Sequence, residues 1–127
     1  MILVVGGAGQ GKLAWTLKQS GLGIKDASSR PEDAAPILTE LEELIREQLA
    51  AGEDPQELLP TLRKKEYVLC REVGCGVVPL DPADRRWREE TGRLCCALAQ
   101  EAAGVVRLCC GIPQVLKEFP GAEGGES

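Results

Sequence analysis

An α/β fold, specifically a three-layer sandwich around a short and mostly parallel sheet, is predicted by three observations. Apolar runs without polar alternation stand at residues 2–5 and 67–70, and a third run at 105–110 ends at Gly111; runs of this kind suit strands buried on both faces. Stretches with apolar residues at helical spacing separate them. The first run also feeds directly into a cluster of glycines, Gly6, Gly7, Gly9 and Gly11, followed by Lys12. Strand, helix, strand, helix, strand in that order implies right-handed parallel crossovers.

The 127 residues suffice for one domain with a core and are too few for two, so a single nucleotide-binding domain is expected over 1–119, with 120–127 as a disordered tail. Hydrophobic residues make up 43% and charged ones 28%, the composition of an ordinary globular chain. A net charge of −5 and 3% aromatic residues leave neither a positive field nor stacking platforms for nucleic acid, which is excluded as an expected partner. The opening apolar run is too short to span a membrane and lacks the flanks of a signal peptide, so no membrane association and a cytoplasmic location are expected. There is no histidine, and the six cysteines form no C-x-x-C, which argues against zinc and for reduced, buried thiols. The vicinal pairs Cys95-Cys96 and Cys109-Cys110 cannot both face one core, so some thiols should face a second surface such as a subunit contact.

Residues 2–5 predict the first strand and residues 12–19 a short helix, stopped by Gly21 and Gly23. Residues 22–36 lose periodicity and read as a loop, with Ser29 and Glu32 placed for a capping box around Pro31. A helix is expected to begin at Ile37, with Ile37, Leu38, Leu41, Leu44, Ile45 and Leu49 on its inner face and Glu40, Glu42, Glu43, Arg46 and Glu47 on a solvated one. A shorter helix at 55–65 leads to the strand at 67–70. Glu72 follows that strand at its carboxyl end, where open α/β sheets bind ligands. After the turn at Asp81-Pro82, a long helix over about 83–103 should bury Trp87, Thr91, Leu94, Leu98 and Ala102. Its arginines, Arg85, Arg86, Arg88 and Arg93, read mostly as a salt-bridged surface.

The glycine cluster fits the P-loop pattern G-x-x-x-x-G-K from Gly6 to Lys12, but Leu13 stands where a Ser or Thr hydroxyl is required. Gly6, Gly7, Ala8, Gly9, Gln10, Gly11, Lys12 and Leu13 are therefore the candidate nucleotide-binding residues, and the expected architecture is P-loop NTPase-like. Main-chain N–H groups and the amino end of a helix hold phosphate whatever residue occupies position 13. Lys12 supplies a point charge for the β- and γ-phosphates and is a candidate catalytic residue. Leucine cannot ligate Mg2+, so metal binding should be weakened unless a water replaces the hydroxyl. Glu72 is the carboxylate expected nearest the cradle, as a catalytic and metal-holding residue or as the cap of the next turn.

Three blocks, MILVVGGAGQGK, CREVGCGVVPLDPADRRWREETGRL and VVRLCCGIPQVLK, resemble the adenosylcobinamide kinase/adenosylcobinamide-phosphate guanylyltransferase family of cobalamin biosynthesis. The corresponding family pieces are a strand leading to GGARSGKS, a strand ending in NEVG-x-G-I-V-P, a helix with an A-G-R segment, and a closing strand with a G-I motif. The EVGCGVVP block is the more specific signal, because glycine-rich phosphate loops recur on unrelated enzymes. The resemblance implies GTP or ATP with Mg2+ as cofactors, adenosylcobinamide or a related corrinoid as substrate, and a homo-oligomer.

The chain departs from the family in three respects. It has no histidine to carry a guanylyl intermediate, its segment after the P-loop is short, and no apolar strand ending in Asp or Glu is expected between residues 20 and 60. Kinase activity without guanylyl transfer is the leading expectation, since no other side chain supplies the histidine chemistry. A noncatalytic nucleotide-binding or scaffold relative is the alternative, and a P-loop kinase for another hydroxylated metabolite is a third reading.

Overall fold

The structure, a computed structural model, describes residues 1–73 and 81–120. Residues 74–79 of the EVGCGVVP block, and 121–127 of the expected tail, lie outside the described residues. The elements follow as β1 (Ile2–Gly6), α1 (Lys12–Ser20), β2 (Ala27–Ser28), β3 (Ile37–Leu38), α2 (Leu41–Ala50), α3 (Leu59–Leu62), β4 (Tyr67–Arg71), α4 (Pro82–Glu101), β5 (Gly104–Cys109) and β6 (Ile112–Lys117). They form one sheet in the order β2-β3-β4-β1-β5-β6, parallel throughout except for the antiparallel pair β5 and β6.

Alternation along the central strands splits the core into two layers, since successive side chains point to opposite faces. Leu3, Leu38, Val68, Cys70 and Val105 face α2, α3 and α4, where they meet Leu41, Ile45, Leu62, Trp87, Leu94 and Leu98. Val4, Ile37, Leu69, Val106 and Leu108 face the other way, onto Leu13, Trp15 and Leu17 of α1 and onto Phe119. The three-layer sandwich expected from the apolar runs is therefore present. The inner stripe of α4 is as expected: Trp87, Thr91, Leu94, Leu98 and Ala102 are all buried. Asp81 caps α4 by accepting the N–H of Ala83 at 3.0 Å, and Pro82 opens the first turn. Arg88 pairs with Asp84 and Arg93 with Glu90 along its surface.

Four local expectations are corrected. Ile37 and Leu38 do not begin a helix; they form β3, pairing with Tyr67 and Val68 of β4, and α2 starts only at Leu41. Both residues are fully buried, and their apolarity serves opposite faces of a sheet rather than one face of a helix. Residues 22–36 are not merely a loop: a 3-10 turn, Ile24–Asp26, leads into β2, which pairs with β3. No helix starts at Pro31 either; Ser28, not Ser29, organises the turn by accepting the N–H of Arg30 and donating to Asp33. The segment expected to be helical over 55–65 is a 3-10 turn, Pro55–Leu58, followed by the single turn of α3.

The strand β6 was not expected at all. It returns from β5 through Cys110 and Gly111, whose φ angles of 53° and 77° are of the sign that a tight two-residue hairpin requires. The expectation of buried thiols is corrected: among the described cysteines only Cys70 is buried and Cys95 is half-buried, whereas Cys96, Cys109 and Cys110 are exposed, so that some thiols do face a second surface. Among the described residues no helix is long and apolar enough to cross a membrane.

Candidate functional site

The glycine loop leaves β1 where β1 and β5 approach closely. A Cβ on Gly6 would lie 2.7 Å from the carbonyl oxygen of Leu108, so no side chain fits between β1 and β5 there. Gly9 and Gly11 adopt φ of 72° and 89°, the left-handed region that glycine enters without cost. Gly11 caps α1, and Lys12 is its first residue. The first N–H groups of a helix have no intrahelical acceptor and carry the positive end of its dipole, so the loop and α1 together present donors to an anion.

Gln10 anchors this loop from outside. Its carbonyl accepts the N–H of Gly111 at 3.0 Å, and its side-chain oxygen accepts that of Cys110. The β5–β6 turn thus holds the glycine loop in place, an attachment invisible without β6. The Lys12 ammonium donates to the carbonyls of Gly6 at 3.1 Å and Gly7 at 3.0 Å, so it lies across the loop's own mouth. Thr16, one turn along α1, is fully buried and donates its hydroxyl to Lys12 O at 2.8 Å. It does not replace the oxygen missing at Leu13.

A cleft of about 580 Å3 opens beside the loop, with Gly9, Gly11, Lys12 and Leu13 on one wall and Thr39, Glu40, Glu42, Leu69 and Arg71 on the other. The two acids come from the end of β3 and the start of α2. An unexpected apolar strand, Ile37–Leu38, does lie between residues 20 and 60; it does not itself end in an acid, but Thr39 and Glu40 follow it. Glu40 holds φ at 56°, in the left-handed region, and is exposed. Glu42, expected on the solvated face, is buried instead. Its carboxylate accepts the N–H of Arg71 at 2.8 Å, and its carbonyl accepts the indole N–H of Trp87 at 2.7 Å. Arg46 stacks on that indole at 3.9 Å and completes the joint between α2 and α4.

Glu72 is placed differently from these acids. Its main-chain N–H donates to Gly6 O at 2.9 Å, but its carboxylate grips Arg107 through bonds of 2.7 and 3.2 Å. It lines a second cavity of about 310 Å3, with Val5, Arg71, Val73, Thr91 and Cys95. Arg71 borders both spaces. Cys70 lies buried on β4, its thiol donating to the carbonyl of Arg71 at 3.5 Å. The influence of the Cys95 thiol, with burial, raises the Cys70 thiol well above its ordinary range, and the influence of Cys70 lowers that of Cys95.

The structure therefore brings Gly9, Gly11, Lys12 and Leu13 together with Glu40, Glu42 and Arg71, and sets Glu72 beside the neighbouring cavity. Among the described residues no three Cys, Asp or Glu side chains gather as a metal cage. The donors of the cleft fit a Mg2+ that keeps most of its ligands as water and phosphate oxygen, as that ion usually does. Glu40 and Glu42 could have been found from the sequence only by weighing Ile-Leu-Thr-Glu as strand and turn instead of as the first turn of a helix.

A family model described as cobinamide kinase / cobinamide phosphate guanyltransferase (CobU) matches residues 34–116. The match starts downstream of the glycine loop and takes in β3, both acids of the cleft, α2, β4, α4 and nearly all of the closing hairpin. No curated protein matches the chain. With well over half of its length inside that match, on a mostly parallel sheet flanked by helices, the chain belongs to the cobinamide kinase / cobinamide phosphate guanyltransferase family of cobamide biosynthesis.

Proposed function

We propose that the cleft binds the triphosphate of GTP or ATP and that the chain transfers its terminal phosphoryl group to a hydroxyl of adenosylcobinamide or a related corrinoid. The observation that carries this reading is the facing of Lys12 and the glycine turn by Glu40 and Glu42 across a cleft of about 580 Å3, a volume suited to a nucleotide. Main-chain N–H groups from Gly7 to Leu13 hold phosphate oxygens, and Lys12 exchanges its contacts with Gly6 O and Gly7 O for the β- and γ-phosphates. Arg71 lies on the opposite wall, in reach of the same anion. Mg2+, when bound, neutralises charge on the transferring phosphoryl group. Glu40 is the carboxylate we assign to hold its waters, with Glu72 left to fix Arg107 and the end of β1. Glu42 positions Arg71.

Guanylyl transfer is left out of the proposal because the 127 residues contain no histidine to form the covalent intermediate. A corrinoid is larger than the cleft, so copies of the chain are proposed to associate and complete its pocket in the cytoplasm. Nucleic acid has no part in the proposal. The test is transfer of labelled phosphate from γ-labelled GTP or ATP to adenosylcobinamide. Labelled product supports the kinase; nucleotide binding without transfer supports the noncatalytic relative, which the leucine at the metal-facing corner favours; failure of both nucleotides to bind at millimolar concentration defeats both.

A further inference from the structure

In the proposed site the inner phosphates of a nucleotide lie on main-chain amides and Lys12, and the far end of the phosphate chain runs toward Thr39, Glu40, Glu42 and Arg71. Two of those side chains are carboxylates, which repel it. Arg71 is the cation of that wall, and with Lys12 it balances the two acids of the cleft. Leu69 and Arg71, two apart on β4, share the face of the sheet that looks onto α1, so both line the cleft. The main chain at Arg71 is fixed, because its N–H donates to the buried Glu42 carboxylate at 2.8 Å. Its guanidinium is not: among the described residues it has no carboxylate partner. It lies instead 5.8 Å from the centroid of the Trp87 ring, near the limit of a cation–π contact, while Arg46 already occupies that indole at 3.9 Å. Two guanidinium groups beside one indole repel each other, and the more distant one is the more weakly held.

We propose that Arg71 reads the terminal phosphate of the nucleotide: its guanidinium leaves the indole for two oxygens of the γ-phosphate, and this contact selects a nucleoside triphosphate over a diphosphate. The role rests on the reading of the cleft as a nucleotide site and adds to it the residue that counts the phosphates. A planar fork suits the task, since two parallel N–H bonds take two oxygens of one phosphate. A diphosphate stops short of the far wall and leaves Arg71 beside Trp87. Selection of this kind operates without metal, because the guanidinium brings its own charge to a cleft whose Leu13 corner offers no oxygen. Departure of Arg71 leaves the indole to Arg46 alone, so Trp87 senses the third phosphate from outside the cleft.

The experiment titrates the full chain with GTP, GDP, ATP and ADP by calorimetry in EDTA. For the base that binds, the triphosphate is expected to be about tenfold or more tighter than the diphosphate, the worth of one charge-assisted pair. In Arg71→Met that ratio is expected to fall toward one through loss of triphosphate affinity alone. Arg71→Lys, which keeps the charge without the fork, is expected to restore only part of it. The chain has two tryptophans, so Trp87 emission is read in Trp15→Phe; it is expected to change with triphosphate and stay constant with diphosphate. A native ratio near one, an unchanged ratio in Arg71→Met, or Trp87 emission indifferent to the third phosphate overturns the proposal and leaves the nucleotide site standing. Failure of every nucleotide to bind defeats that site and the proposal together. The native ratio and the Trp87 signal decide without an Arg71 variant, so one that fails to fold does not shelter the idea.

Discussion

The two walls of the cleft are built on different principles. One wall comes from a single run within residues 8–14, in which the polar groups are main-chain amides plus one ammonium. The other gathers Thr39 and Glu40 from the turn between β3 and α2, Glu42 from α2, and Leu69 and Arg71 from β4, and its polar groups are side chains held by tertiary bonds such as Glu42 to Arg71 N. A wall made of backbone tolerates side-chain replacement wherever φ and space allow. A wall made of side chains fails one residue at a time.

The largest effect should come from closing the space that the first wall depends on. Gly6→Val pushes a branched side chain into the Leu108 carbonyl and should cost about 3 kcal/mol, the upper range for overpacking, seen as a lowered urea midpoint at unchanged m-value. An unaltered midpoint would show that β1 and β5 yield more readily than their register suggests. On the second wall, Glu42→Leu strands the N–H of Arg71 and should cost about 2 kcal/mol, whereas Glu42→Gln keeps an acceptor there and should recover most of it. Equal losses in the two variants would mean that charge, not the bond, is what matters at Glu42.

Binding comes next in size. Lys12→Met should weaken GTP or ATP roughly tenfold or more, the loss expected for one charge-assisted contact, with little change in the denaturation midpoint. If affinity measured by calorimetry is unchanged, the ammonium does not leave Gly6 O and Gly7 O for phosphate. Glu40→Gly sharpens the contrast, because its two effects have opposite signs. Relief of the left-handed backbone should stabilise the fold by about 0.5–1 kcal/mol, while binding in the presence of Mg2+ falls and binding without it is kept. The smallest effect is expected for Leu13→Ser, a few-fold gain in Mg2+-dependent affinity with metal-free affinity unchanged; equal metal response in both proteins would remove the assigned role of that position.

The same contrast explains what could be read from the sequence. The strand at 2–5, the glycine turn and α1 were legible because each is decided by neighbours in sequence: a short apolar run, φ-permissive glycines, a lysine at the helix start. The stripe of α4 was legible for a similar reason, since a helix of that length repeats its signal over several turns. β3 was not, because two buried residues carry no period, and Ile37-Leu38 joined to Leu41 mimics a helical face. Glu42 looked solvated because its partner, Arg71 N, is 29 residues away. β6 escaped because an exposed edge strand alternates only weakly, with Ile112 and Leu116 left facing out at 68% and 56% exposure. The family resemblance, carried by motifs in both halves of the chain, reached the right lineage even where the local reading of β3 failed.

One last consequence belongs to Lys12. Its positive charge rests on two carbonyl dipoles, so on the proposed reading an incoming anion has to replace those contacts. Ligand affinity there is a difference between two states of one side chain. Small anions that satisfy the ammonium less completely than a triphosphate should compete poorly, and the chain can discriminate by denticity rather than by charge alone.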